Sequence, residues 1–88
     1  MMERDREQDR ALGVQSALAA GRSTEALRLA ETWVAQAPLD AEAHNALGRV
    51  RATRGDRDAA IVAFREATRL APTRAKGFSN LAAALRSA

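Results

Sequence analysis

The side chains able to carry out chemistry are few in this sequence and lie far apart. His44 is the only histidine, so a site built on two imidazole ligands is excluded. As a general base it would need a cleft and an orienting partner, and a structural role in a helix is the better interpretation. The chain contains no cysteine, which excludes disulfides and thiolate metal ligands.

The remaining acids and hydroxyls fit structural roles at the ends of helices. Asp56 and Asp58 stand at the start of a predicted helix, where negative charge complements the helix dipole. Ser23 and Thr24 follow Gly21 as candidate helix caps. The five glycines are isolated and form no phosphate-binding loop. We therefore predict no catalytic residues, no cofactor and no metal. On the basis of these residues we expect that the chain is not an enzyme.

The basic residues are unevenly distributed along the chain. Fourteen basic and 11 acidic residues give a net charge of +3, and no acid follows Glu66. The basic C-terminal third could attract nucleic acid or an acidic partner. The Arg49, Arg51 and Arg54 cluster could contact phosphates, but no interleaved aromatics are present to stack bases. Nucleic-acid binding is thus a disfavoured alternative, which a salt titration would test.

Helices are the elements that must position these residues. Alanine dominates, only 3% of residues are aromatic, and β-branched residues are sparse, which predicts an all-α fold. The opening MMERDREQDR is densely charged and lacks the apolar run of a signal peptide. No apolar stretch reaches the length of about 18 residues that a membrane span needs. The composition predicts a soluble, cytoplasmic protein without a membrane segment.

The chain repeats itself with a period of 34 residues. A fixed period in this range is typical of helical repeat proteins. The residue pairs at this spacing are Pro38 and Pro72, Gly21 and Gly55, Ala26 and Ala60, Leu27 and Ile61, and Ala37 and Ala71. The predicted units are a charged lead at 1–6, a divergent first repeat at 7–40, a second repeat at 41–74, and the first helix of a third repeat or a capping helix at 75–88.

The second unit closely resembles the tetratricopeptide repeat (TPR). The residues that carry this resemblance are His44, Leu47, Gly48, Gly55, Ala60, Phe64, Ala67 and Pro72. The resemblance implies a right-handed α-solenoid of antiparallel helix hairpins, here with five helices, in which Phe64 fills the space between the helices of its hairpin. The first unit departs from the family at Trp33, where alanine is usual. There we expect a tryptophan to push the neighbouring helix outward or to reach over an edge.

The resemblance also implies a function, since TPR arrays hold peptides or protein segments in a concave groove lined by their first helices. The chain would then be a scaffold or adaptor for protein–protein interaction. Asparagine amides would bond a peptide backbone, Arg49 with Lys76 would hold a carboxylate, and an exposed Leu18 would offer an apolar contact. The residues expected in the groove are Gln15, Leu18, Asn45, Arg49, Thr53, Lys76, Asn80 and Ala83.

The last predicted helix leaves two alternatives open. Gly77, Ala84 and Ala88 form a small apolar side, which we expect to be open and to await a partner helix. Either the chain is the N-terminal piece of a longer protein, which is the favoured alternative, or it forms a homodimer through this helix. In the first case the repeats would be the appendage of an enzyme. The alanine- and arginine-rich composition of segments such as LAAALRSA resembles that of the repeats that precede bacterial aspartyl/asparaginyl β-hydroxylase-like oxygenases and TPR-linked sulfotransferases.

Overall fold

The computed structural model describes residues 2–86, apart from the side chains of residues 2–8, 75 and 76. This range contains five α-helices and no strand. The helices are α1 (Met2–Ala19), α2 (Ser23–Gln36), α3 (Ala41–Thr53), α4 (Arg57–Leu70) and α5 (Ala75–Arg86). The predicted all-α solenoid of five helices is confirmed. Helix α1 begins at Met2, so it includes the residues that were predicted as a separate charged lead.

Two glycines make the tight turns inside the hairpins. Gly21 and Gly55 adopt φ values of +77° and +83°, a left-handed conformation that costs other residues energy because of their Cβ atom. Their equal spacing places the α1–α2 and α3–α4 turns at the same point of each repeat. A side-chain contact also joins the two turns, since Arg54 Nη1 donates to Ser23 Oγ and Thr24 Oγ1, each at 3.2 Å.

The helix starts differ from the predicted caps. Helix α3 is capped by Asp40, whose Oδ1 accepts a hydrogen bond from the Glu42 N–H at 3.0 Å. Asp56 occupies the cap position of α4 but makes no side-chain cap bond. The cap position of α2 is occupied by Arg22 and not by Ser23 or Thr24. The hydroxyls of Ser23 and Thr24 instead accept hydrogen bonds from the Arg54 guanidinium.

The helices pack so that one face of the stack is narrower than the other. Helices α1, α3 and α5 contact one another in that order, whereas α2 and α4, which are described in full, do not contact each other. Both α2 and α4 pack against α3. The face made by α1, α3 and α5 is therefore the concave one, and α2 and α4 are splayed on the convex side.

Trp33 lies in the core, so the expectation that it would reach over an edge is wrong, whereas outward displacement of the neighbouring helix stays a prediction. Its side chain is 2% exposed and belongs to one cluster with Val14 and Val50. The reason is that a large and a small side chain exchange positions between the two repeats. Ala30 stands 34 residues before the bulky Phe64, and Trp33 stands 34 before the small Ala67, so each hairpin buries one large aromatic at one of these two positions.

The second hairpin and α5 share a smaller core of Ala60, Ile61, Phe64 and Ala84, with Leu81 packed against it. Helix α5 is also held at its C-terminal end by the first residue of α4. The Arg57 guanidinium donates to the carbonyls of Ala84 and Leu85, each at 3.0 Å, and so satisfies two acceptors that a helix end leaves free.

The predicted open side of α5 is in fact the covered side. Ala84 is 6% exposed, and a Cβ added to Gly77 would meet Thr68 Cγ2 of α4 at 3.0 Å. Small residues here permit close approach of α5 to α4, so they mark a filled interface. Ala88 lies outside the described residues. The exposed apolar side chains of α5 are instead Phe78, at 50%, and Leu85, at 43%, with Ala82 between them, and a homodimer through this helix stays a prediction that would use that side.

Ala84→Glu will therefore destabilise the contact between α4 and α5. Burying a polar group without partners costs about 1–3 kcal/mol in proteins, and we expect the free energy of unfolding to fall by about that amount. Ala82→Glu is the matched control, because Ala82 lies on the same helix and is exposed. Urea unfolding followed by circular dichroism will measure both variants. Equal stability of the two would contradict the orientation of α5 described here.

Candidate functional site

The concave face carries two cavities that meet at Arg49. The smaller cavity, about 60 Å³, lies between α1 and α3. The larger, about 320 Å³, lies between α3 and α5. The residues lining the first include Gln15, Trp33, Glu42 and Asn45, and those lining the second include Thr53, Asn80 and Ala83. Arg49 lines both cavities, so its side chain stands at the middle of the face.

Asn45 is the one buried polar side chain among the described residues, with 3% exposure. Its Oδ1 lies 3.5 Å from Asn80 Nδ2, which is the long limit of a hydrogen bond. An asparagine side chain has two N–H donors and a carbonyl oxygen with two lone pairs. The weak contact between the two amides therefore leaves both with capacity to bond a ligand at the boundary of α3 and α5.

Arg49 is exposed, and its guanidinium has no hydrogen-bond or ion-pair partner within the part of the chain that the structure describes. The carboxylate that lines the smaller cavity, Glu42, lies 3.2 Å from Arg74 Nη1. The positive charge of Arg49 is therefore available at the centre of the concave face. A guanidinium binds carboxylates through paired, charge-assisted hydrogen bonds.

Most of the residues predicted for the groove lie on this face. Those that line the two cavities are Gln15, Asn45, Arg49, Thr53, Asn80 and Ala83. The Thr53 hydroxyl, however, is already used, since it donates to the Arg49 carbonyl at 2.9 Å. Leu18 is half-buried against the first core cluster, so it does not offer the exposed apolar contact that we expected. The side chain of Lys76 lies outside the described residues.

Two residues of the concave face were missed by sequence reasoning. Trp33 reaches the smaller cavity from α2, although the face is built from α1, α3 and α5. Its Nε1–H is buried and has no acceptor among the described residues. The small Ala30 at the position equivalent to Phe64 indicated that the Trp33 indole could fill the core instead. Nothing in the sequence indicated that Glu42 lines the cavity, because its position there depends on how α1 packs against α3.

The repeat signature performs a structural role. Leu47, Gly48, Ala60, Phe64 and Ala67 are all buried. His44 lies on the convex side, with Nε2 at 2.7 Å from the Pro38 carbonyl. Within the described residues, no group of three His, Asp or Glu side chains is placed to hold a metal ion. None of the described helices is both long and apolar enough to cross a membrane.

In a comparison with protein families, the model of the tetratricopeptide repeat matches residues 41–74, which are the α3–α4 hairpin and the turn that follows it. A search of curated proteins finds no match to the chain.

Proposed function

We propose that this protein binds an extended peptide segment on its concave face. Its residues 41–74 match the tetratricopeptide repeat, a module that in general mediates protein–protein interaction. The observation that supports this proposal is the pair of cavities joined at Arg49. Asn45 and Asn80 border them from neighbouring helices. No catalytic step is proposed, and the chain acts as a scaffold or adaptor by binding.

Each of the three side chains has a role in the proposed complex. An extended peptide presents N–H and C=O groups along its length, and an asparagine amide can donate to one and accept from the other. Asn45 and Asn80 would bond the peptide backbone in this way. Arg49 would bind a carboxylate of the peptide, either an Asp or Glu side chain or the C-terminal group. The partner is thus a peptide with at least one acidic group.

Arg49→Glu will weaken binding of such a peptide by about tenfold or more, because hydrogen bonds to charged groups contribute about 1.5–3 kcal/mol. Peptides selected on the wild-type protein from a random display library supply the ligands. Their affinity for both proteins will be measured by isothermal titration calorimetry. Arg28→Glu is the matched control, since it makes the same charge change on the exposed surface of α2, away from both cavities.

The selected peptides decide between the concave face and other surfaces. Affinity that is unchanged by Arg49→Glu, or that Arg28→Glu lowers equally, would contradict the proposal. Repeats that precede an oxygenase or sulfotransferase domain would bind through the same face, so the experiment does not depend on that alternative. Affinity that falls steeply with salt for a nucleic-acid probe would instead favour the basic C-terminal third as the binding surface.

A further inference from the structure

A second groove lies on the opposite, convex face of the protein. Its walls are α2 and α4, which do not contact each other in the described chain, and its floor is α3. Its volume is about 580 Å³, against about 320 Å³ for the larger cavity of the concave face. The groove shares no residue with that concave pair of cavities.

The middle of this convex groove is apolar. Val34 of α2, Leu47 of α3, and Val62 and Ala63 of α4 line it. Val62 is 66% exposed, so it adds little to the core of the protein. A single exposed valine is ordinary, but this one lies beside three further apolar side chains in one concavity. An apolar stripe on a partner could therefore be buried along the groove.

The rim of the convex groove is positively charged. Arg51, Arg65 and Arg69 line it with a single carboxylate, Glu66. Glu66 is already paired, because Arg69 Nε donates to its Oε1 at 2.9 Å. This hydrogen bond lowers the pKa of the Glu66 carboxyl below its ordinary value.

The other two arginines of the rim form weaker ion pairs or none among the described residues. Arg51 lies 3.9 Å from Glu31 at its nearest ion-pair contact, a distance typical of weak surface pairs. Arg65 is exposed and has no hydrogen-bond or ion-pair partner among the described residues. The rim therefore presents two positive charges that the protein itself does not neutralise strongly. The complementary ligand is acidic on both sides of an apolar stripe.

We propose that the convex groove binds an amphipathic α-helix of another protein, with an apolar stripe flanked by acidic side chains. A helix is the form that fits, because helices pack by laying one row of side chains into the groove between others. Its apolar stripe contacts Val34 and Val62, and its carboxylates pair with Arg51 and Arg65. The convex site goes beyond the peptide-binding function proposed for the concave face and uses different residues.

The test uses a synthetic helical peptide as the probe. The peptide, about 18 residues long so that it can form a helix, carries leucines at i, i+3, i+4 and i+7 spacing and glutamate and alanine elsewhere. A second peptide has lysine in place of every glutamate, and a third has the acidic composition in scrambled order. Fluorescence polarisation of labelled peptides will measure their binding to the 88-residue protein.

Two groove variants and one control variant locate the binding site. We expect Val62→Gln and Arg65→Glu each to weaken binding of the acidic peptide about tenfold. Both side chains are exposed, so these variants should fold, which circular dichroism will check. Arg28→Glu makes a matching charge change on α2, outside both this groove and the concave cavities, and should bind as the wild type does. The lysine and scrambled peptides should bind at least about tenfold more weakly.

Every other result overturns the proposal. No binding of the acidic peptide at about 1 mM protein would show that the groove has no such ligand. Loss of binding with Arg49→Glu alone would place the peptide on the concave face. Equal binding of the scrambled peptide would show simple charge attraction. Displacement of the acidic peptide by a single-stranded oligonucleotide, with the same dependence on Arg65, would assign the groove to phosphate binding.

Discussion

Trp33→Ala will lower the free energy of unfolding by about 3–5 kcal/mol, the usual cost of removing a buried aromatic side chain. Trp33 is 2% exposed and lies in the cluster that joins the first hairpin to α3. Single domains are stable by only about 5–15 kcal/mol. We therefore expect this variant to lose a large part of its stability and to lose its helix signal in circular dichroism at a much lower urea concentration than the wild type.

Trp33→Phe separates the contribution of the ring from that of its N–H group. The indole N–H is buried without an acceptor among the described residues, and such a donor costs about 1–3 kcal/mol. Phenylalanine removes this donor while keeping most of the apolar contact, so the loss should be much smaller than for Trp33→Ala.

Urea unfolding followed by far-ultraviolet circular dichroism will measure both variants, since replacing the only tryptophan removes the fluorescence probe. Leu12→Ala is the control, because Leu12 is 55% exposed and the change should stay within about 0.5 kcal/mol. A Trp33→Ala protein as stable as Leu12→Ala would show that Trp33 is not part of the core.

Gly48→Ala will destabilise the α3–α4 hairpin by about 1–3 kcal/mol, the typical cost of overpacking a core. A Cβ at Gly48 would lie 2.6 Å from Phe64 Cδ1 and 2.8 Å from its Cζ, with Cε1 between them. The Phe64 ring is 3% exposed, so it cannot turn away into solvent. Alanine normally stabilises a helix interior by about 0.5–1 kcal/mol relative to glycine, and this clash should outweigh that gain.

Gly13→Ala makes the same substitution on α1 and should have the opposite sign. The nearest atom to a Cβ at Gly13 is Leu29 Cδ1, at 3.9 Å, which is an ordinary contact distance. We therefore expect stabilisation by about 0.5–1 kcal/mol. Thermal and urea unfolding of the two variants side by side will measure the difference. If both variants were stabilised, the close approach of α3 to Phe64 would be refuted.

Local features of the sequence were sufficient for the helices, the turns and the repeat. Glycine is needed where φ is positive, and proline cannot continue a helix, so Gly21, Gly55, Pro38 and Pro72 marked the ends of helices directly. The 34-residue period then identified two equivalent hairpins and the tetratricopeptide resemblance. The groove residues were expected from that resemblance; those of α3, Asn45, Arg49 and Thr53, lie four residues apart and therefore share one face of the helix.

The 34-residue period also predicts which side of α5 is buried. Ala43 and Val50, which are fully buried in the first core cluster, stand 34 residues before Gly77 and Ala84. This equivalence predicts that Gly77 and Ala84 face the preceding hairpin, as they do. The expectation that the small residues of α5 form an open surface was wrong, because small side chains are needed most where two helices approach closely.

The sequence by itself thus determined the turns that separate the helices, because backbone conformation at a turn depends on the residues in it, but it did not determine the start of α1. Only the tertiary structure decided which side of a helix is covered. The burial of Trp33 depends on the alanines of the helices around it, and the convex groove exists because α2 and α4 stay apart above α3. These features depend on the distances between helices, which the packing of several elements sets together and no single stretch of sequence encodes.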